Sequence, residues 1–230
     1  MDAMLGADFW IGLLKIVWIN IILSGDNAVV IALAARGLPA HQQSKAIMLG
    51  SGAAVVLRIA LTLVAAKLMQ LPLVEIMGGV LLLWIGVGLL KGEDESEQSG
   101  DAVKVGMMAA VRTILLADLV MSLDNVIAVA AAAQGNLVLL VLGLAISIPL
   151  VIFGSTLMIK LMARFPAIVT LGAALIGWVA GETLASDHVL EGLIQAHPWL
   201  THAAAVAGAL LVVAVGKMWQ ARNAAPASGA

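Results

Sequence analysis

Mostly apolar runs separated by short polar breaks make up nearly the whole chain. Seven of them come near the ~20 residues that a helix needs to cross the hydrocarbon core of a bilayer. They are Phe9–Ala35, Ala46–Met69, Pro72–Leu90, Val105–Ala133, Leu137–Met162, Pro166–Leu184 and Ala203–Trp219. The pattern predicts an all-α, polytopic membrane protein with seven transmembrane helices. The first run is too long for the core of a signal peptide. Residues 1–8 hold two aspartates and no lysine or arginine, so that run reads as a retained span.

Composition strengthens this reading and removes others. Of the 230 residues, 62% are hydrophobic and 11% charged, against roughly 45–50% apolar and 25% charged in a soluble domain. The mean hydropathy is +1.08. Too little polar surface remains to coat a water-soluble particle, so the expected surroundings are the lipid bilayer. A net charge of −2 offers no concentrated basic face, which argues against nucleic-acid binding. With no cysteine in the chain, disulfides, thiolate metal sites and cysteine nucleophiles are excluded. Any metal must be held by oxygen or by the four histidines, which favours hard cations.

Basic residues near the span ends set the expected orientation. With the N-terminus outside, Arg36, Lys45, Lys91, Lys104, Lys160, Arg164, Lys217 and Arg222 fall inside, and only Lys67 falls outside. The expected arrangement is therefore N-terminus out and C-terminus cytoplasmic. An acidic run, Gly92–Gly100, separates the third and fourth spans. It is expected to begin a solvated cytoplasmic linker over 92–104. An extracytoplasmic loop is expected over 186–202, and the seventh helix with its tail over 203–222.

The linker divides two halves, 9–91 and 105–185, that resemble each other. Asn20-Ile-Ile-Leu-Ser-Gly-Asp-Asn27 in the first span matches Asp118-Leu-Val-Met-Ser-Leu-Asp-Asn125 in the fourth, at an offset of 98. The second and fifth spans share Leu49-Gly50 with Leu142-Gly143, at an offset of 93. The third and sixth align Trp84 with Trp178, at an offset of 94. Three spans per half is an odd number, so the second half enters the membrane from the opposite side. The chain thus reads as two inverted three-helix repeats plus a C-terminal helix. Such repeats mark secondary transporters, with a substrate site near the midplane where the repeats meet.

An ionised carboxylate inside the bilayer costs at least about 2.5–3.5 kcal/mol, so acidic residues within spans need a use. Asp26, Asp118, Asp124 and Glu182 lie within spans, and Arg58 lies at the middle of the second. Asp26 and Asp124 hold matching positions in the repeat, as do Asn20 and Asp118. Six residues on an ideal helix leave two side chains about 240° apart. Asn20 and Asp26 therefore converge only if their helix is interrupted. Ser24-Gly25 supplies an interruption, because glycine weakens a helix by about 1 kcal/mol relative to alanine. Ser122-Leu123 in the fourth span supports a break less well. Together Asn20, Asp26, Asn27, Asp118, Asp124 and Asn125 offer three carboxylates and three amides. That set suits a divalent cation of about six-fold coordination. The asparagines and serines can equally serve as hydrogen bonds between helices.

Arg58 reads as a buried counter-charge for one of the aspartates, with a gating or substrate-repelling role as the alternative. Glu75 reads as interfacial. His188, His197 and His202 lack the spacing of a helical metal pair, and read with Asp187 and Glu191 as ordinary outer-loop residues. Gly177 and Gly181 read as a helix-packing face.

Ser-Gly-Asp-Asn in the first span, Ser-Leu-Asp-Asn in the fourth and the Gly78–Gly86 segment resemble the TerC integral membrane family, in particular its YjbE-type branch of metal transporters. The resemblance runs from about Phe9 to Trp219. It implies a seven-helix protein of the bacterial inner membrane, within the wider LysE-like transporter superfamily, linked to manganese efflux and tellurium resistance. Members of the family often carry an acid six positions before the motif aspartate in both repeats. Asp118 fits that pattern and Asn20 departs from it, which lowers the negative charge of the site by one.

The leading expectation is a transporter that exports a divalent metal cation, Mn²⁺ before others, without a cofactor. No nucleophile–base pair, nucleotide loop or soluble domain points to an enzyme. One alternative is an exporter of a small amino acid or other solute, for which Arg58 is the only deep cation. Another is a metal-binding membrane helper in metal or tellurite homeostasis. A homo-oligomer is compatible with the sequence.

Overall fold

The computed structural model describes residues 7–23, 25–68, 71–91 and 100–224, with the side chains of 7, 8, 23, 63, 65–68, 100–105, 124, 223 and 224 left aside. The described residues form α1 (Ala7–Leu23), α2 (Gly25–Ala35), α3 (Ala40–Leu68), α4 (Val74–Lys91), α5 (Gly100–Ala133), α6 (Leu137–Arg164) and α7 (Ala167–Ser186). A 3₁₀ turn (His188–Leu190), a short α8 (Glu191–Ala196) and α9 (Trp199–Ala224) follow. Helices α3, α4, α5, α6, α7 and α9 are each long and apolar enough to cross a membrane, and α1 with α2 makes a seventh when the bent pair is counted as one span. The chain is a multi-pass, all-α membrane protein.

The bend falls where the glycine argument places it. The two parts of the first span differ in direction by 51°, across Ser24, which lies outside the described residues. The equivalent helix α5 runs on through Ser122-Leu123, where no glycine loosens the turn. Several helices extend past the apolar runs. Helix α3 starts at Ala40, six residues ahead of its apolar run, and the Pro39 carbonyl accepts from the amides of Gln42 and Gln43. Helix α5 already begins at Gly100, so the stretch 100–104 is helical; residues 92–99 lie outside the described residues. Helix α9 begins at Trp199, and the turn and α8 occupy the rest of the expected outer loop. Hydropathy marks only the part of a helix that suits lipid. Polar turns continue the same backbone ladder until proline or a cap ends it.

The helices gather into two compact units that cut across the sequence repeats. Unit 1 comprises Met1–Leu71 and Lys104–Lys160, and unit 2 comprises Pro72–Val103 and Leu161–Ala230. Unit 1 therefore takes the first two spans of each repeat. Unit 2 takes the third span of each, together with α9.

Unit 1 is assembled by reciprocal contacts. Gly50 on α3 faces the side chain of Ile114 on α5, and Gly143 on α6 faces Ile16 on α1. The glycines are equivalent at the offset of 93, and the isoleucines at 98. Span two thus meets span four as span five meets span one. Ile16 packs with Val129, Leu139 and Leu144, and Ile114 packs with Ile31, Ala35 and Ile47. In unit 2, α7 packs against both α4 and α9. Gly177 and Gly181 meet the α9 backbone at Gly208 and Ala204, so closely that a Cβ has no room. Small residues permit such backbone approach between membrane helices.

Candidate functional site

The buried polar residues of unit 1 converge on Arg58. This arginine sits on α3 with 5% of its surface exposed. Its Nη2 donates to Asp118 Oδ1 at 2.6 Å, its Nη1 to Asn20 Oδ1 at 2.7 Å and its Nε to Ser122 Oγ at 3.0 Å. Ser122 Oγ donates in turn to Asp118 Oδ2 at 3.2 Å. Asn20 Nδ2 donates to Ser147 Oγ at 2.6 Å, and that hydroxyl donates to the Gly143 carbonyl at 2.9 Å. Four helices, α1, α3, α5 and α6, contribute to one network. A charge this deep is tolerable only when paired and hydrogen-bonded, and each guanidinium nitrogen has an oxygen. The counter-charge expected for Arg58 is Asp118.

The network also explains the amide at position 20. Its oxygen accepts from Arg58 while its nitrogen donates to Ser147, a pair of roles that an amide fills and an ionised carboxylate does not. A carboxylate there would be an acceptor alone.

Beside the network lies a cavity of about 20 Å³, with Asn20, Asn27, Ser51, Arg58, Asp118 and Ser147 as its polar lining. Four lining pairs are repeat equivalents: Asn20 with Asp118, Ala54 with Ser147, Val55 with Ile148, and Arg58 with Val151. Both side-chain polar atoms of Asn27, and the hydroxyl of Ser51, are buried with no hydrogen-bond partner among the described residues. Such groups are uncommon because each forfeits its bonds to water.

Of the six ligands expected from the doubled motif, the cavity gathers Asn20, Asn27 and Asp118. Asp26 is half-buried on α2, with Oδ1 accepting from the Asn27 amide at 2.8 Å, and does not line the cavity. Asn125 turns back on its own helix, donating from Nδ2 to the Met121 carbonyl at 2.8 Å. Asp124 is a residue of α5 whose side chain lies outside the described residues. Among the described residues, no three acidic or histidine side chains come together as a metal-binding group. The cavity adds Ser51 and Ser147, which the doubled motif does not contain. A lone serine in an apolar span carries little signal, since it can satisfy itself on a carbonyl one turn back, as Ser147 partly does. The usable hint was register, because Ser147 aligns with Ala54, one turn from Arg58.

Outside the spans, Asp187 has a structural role. It is 1% exposed, at the C-terminal end of α7. Its Oδ1 accepts from the amides of Leu73 and Val189, at 3.3 and 3.0 Å, and its Oδ2 from Ile76 at 3.2 Å. It thereby caps the start of α4, where free amides favour a negative charge. Burial alone would raise this carboxyl, but the backbone donors of Val189, Ile76, Leu73 and Glu75 outweigh it and hold the group below its ordinary value of 3.8. Glu75, expected at the interface, is buried in the first turn of α4. His188 pairs with Glu191 at 2.8 Å, both exposed.

The sequence model of the integral membrane protein TerC family matches residues 5–224. The chain belongs to the TerC family. This TerC chain is 42% identical over 190 residues to the uncharacterized membrane protein YjbE of Bacillus subtilis (strain 168), covering 83% of itself and 86% of that protein. It is 26% identical over 200 residues to the uncharacterized membrane protein YkoY of the same organism, covering 78% of itself and 61% of YkoY. It is 26% identical over 217 residues to the UPF0053 inner membrane protein YoaE of Escherichia coli (strain K12), covering 85% of itself and 42% of YoaE. The TerC chain thus spans less than half the length of YoaE. No solved structure matches it.

Proposed function

We propose that this TerC-family protein exports a divalent metal cation, Mn²⁺ foremost, through the polar cluster of unit 1. In this reading it lies in the bacterial inner membrane with its N-terminus outside and its C-terminus in the cytoplasm. The supporting observation is a cavity lined from equivalent positions of both repeats, where the side-chain polar atoms of Asn27 and Ser51 are buried with no hydrogen-bond partner among the described residues. Groups left unsatisfied in this way favour a guest that brings charge or hydrogen bonds. The guest must be small. About 20 Å³ is room for a single water-sized particle, whereas drug-sized ligands fill roughly 300–1,000 Å³. Amide and hydroxyl oxygens beside one carboxylate suit a hard cation. The amino-acid alternative is weaker, because Arg58 already spends its nitrogens on Asp118, Asn20 and Ser122.

In mechanism, oxygens of the cluster would replace water around the ion. Asp26 and Asp124, at matching places in oppositely oriented repeats, would receive it from the two sides. The deciding measurement is cellular Mn, Fe, Zn, Mg and Ca content in cells lacking or overproducing the protein. Overproduction should lower Mn selectively. The Asp26→Asn, Asp124→Asn double variant, at normal membrane abundance, should not. Unchanged metal contents in every strain would reject the export reading.

A further inference from the structure

Arg58 stands where a cation would have to bind. Asp118 is the one carboxylate lining the cavity among the described residues, and both its oxygens are engaged, Oδ1 by Arg58 and Oδ2 by Ser122. A divalent ion entering the cavity finds neutral oxygens on Asn27 and Ser51 unclaimed by the described residues. The one charged ligand among the described lining residues is held by a guanidinium whose own charge repels the ion. The ion gains Asp118 only by separating the pair.

We propose that Arg58 is an internal stand-in for the transported cation: it occupies Asp118 while the site is empty and yields it when a divalent ion enters. The proposal rests on the reading of this cavity as a cation site. Its physical basis is the empty half of a transport cycle. A site that has released its ion must return through a low-dielectric interior, where an uncompensated carboxylate is strongly disfavoured. With Arg58 on Asp118 the returning pair is neutral and needs no second ion.

Two further observations fit. The repeat equivalent of Arg58 is Val151, and that of Asp118 is Asn20, all lining the same cavity. Arg58 reaches both repeat positions, and the acid stands in the one that receives Nη2 while the amide receives Nη1. Asp26 is a further carboxylate of unit 1, half-buried on α2, and an arginine stem is long and flexible enough to change partner.

The test uses the purified full chain in proteoliposomes, with Mn²⁺ as probe. Net transport requires the empty return, whereas exchange of Mn²⁺ across the membrane for labelled Mn²⁺ does not. Arg58→Met should lower net transport at least ten-fold, preserve exchange, and bind Mn²⁺ at least ten-fold more tightly because the competitor is gone. Arg58→Lys, which keeps the charge, should recover part of the net transport. A folded Arg58→Met that loses exchange and binding together, beside an active wild type, would overturn the stand-in and leave the export reading intact. A wild type that neither binds nor exchanges Mn²⁺ would reject both. Should Arg58→Met fail to reach the membrane, the Mn²⁺-induced infrared difference spectrum of the wild type decides. The guanidinium bands should shift as the pair opens, and bands unmoved by bound Mn²⁺ would overturn the proposal.

Discussion

Single atoms decide what each polar residue here can do. Asn20 serves as acceptor for Arg58 and donor to Ser147, so Asn20→Leu, similar in size, removes both at once. It strands a charged donor in the interior, and should lower stability by about 1–3 kcal/mol. Lys15→Ala, on an exposed position of α1, should change it by no more than about 0.5 kcal/mol. Thermal unfolding in detergent compares the two, and equal melting temperatures would refute the network's contribution. Asp187 gives a pH signature. Its carboxyl in the folded protein lies below the ordinary value of 3.8, so between the two values the unfolded chain binds a proton that the folded chain refuses. Its contribution is complete above 3.8 and is lost as pH falls through the folded value. Asp187→Asn should therefore be less stable than wild type at pH 7, with the gap closing below pH 3.8. A gap that stays constant down to pH 3 would show that the carboxylate charge is not what caps α4.

At the level of elements, the sequence was readable where backbone chemistry is local. Gly25 starts α2 after the bend, and α5 continues unbroken through Leu123, because each residue acts on its own turn of helix. The spans were readable as runs, but their ends were not, since Ala40–Lys45 and Gly100–Lys104 continue helices into polar sequence. Of the residues picked out by the doubled motif, Asn20, Asn27 and Asp118 line the cavity. The orientation of Asn125 was not legible, because an amide on a helix can bond either to a neighbour or to its own carbonyl ladder. Close packing of α7 on α9 depends on Gly181, whose missing Cβ makes way for the Ala204 carbonyl. Gly181→Val should destabilise unit 2 by about 1–3 kcal/mol or more. Gly192→Ala, in open space on α8, should be neutral. Proteolysis of detergent-solubilised protein reads the difference, and equal resistance would exclude a tight α7–α9 seam.

For the whole molecule, the basic residues predict the side of each loop. Reporter fusions at residue 96 and after residue 222 should both give cytoplasmic signals, and an external signal at either would overturn the orientation. The repeat offsets showed that two halves are related, yet they are silent on which spans pack together. A three-helix repeat can close on itself or exchange helices with its partner, and the internal sequence similarity is the same in both cases. The reciprocal contacts of Ile16 with Gly143 and Ile114 with Gly50 place this chain in the second class. That arrangement has a consequence during synthesis. Arg58 and Asp118 are 60 residues apart in the chain, and ribosomes add about 5–20 residues per second. The arginine is therefore made roughly 3–12 seconds before its carboxylate. Through that interval the second span meets the lipid with an unpaired guanidinium, a burden of about 2.5–3.5 kcal/mol on insertion scales, and the Asn20 oxygen is the one network partner already made. Insertion of the first half is provisional, and arrival of the fourth span commits it.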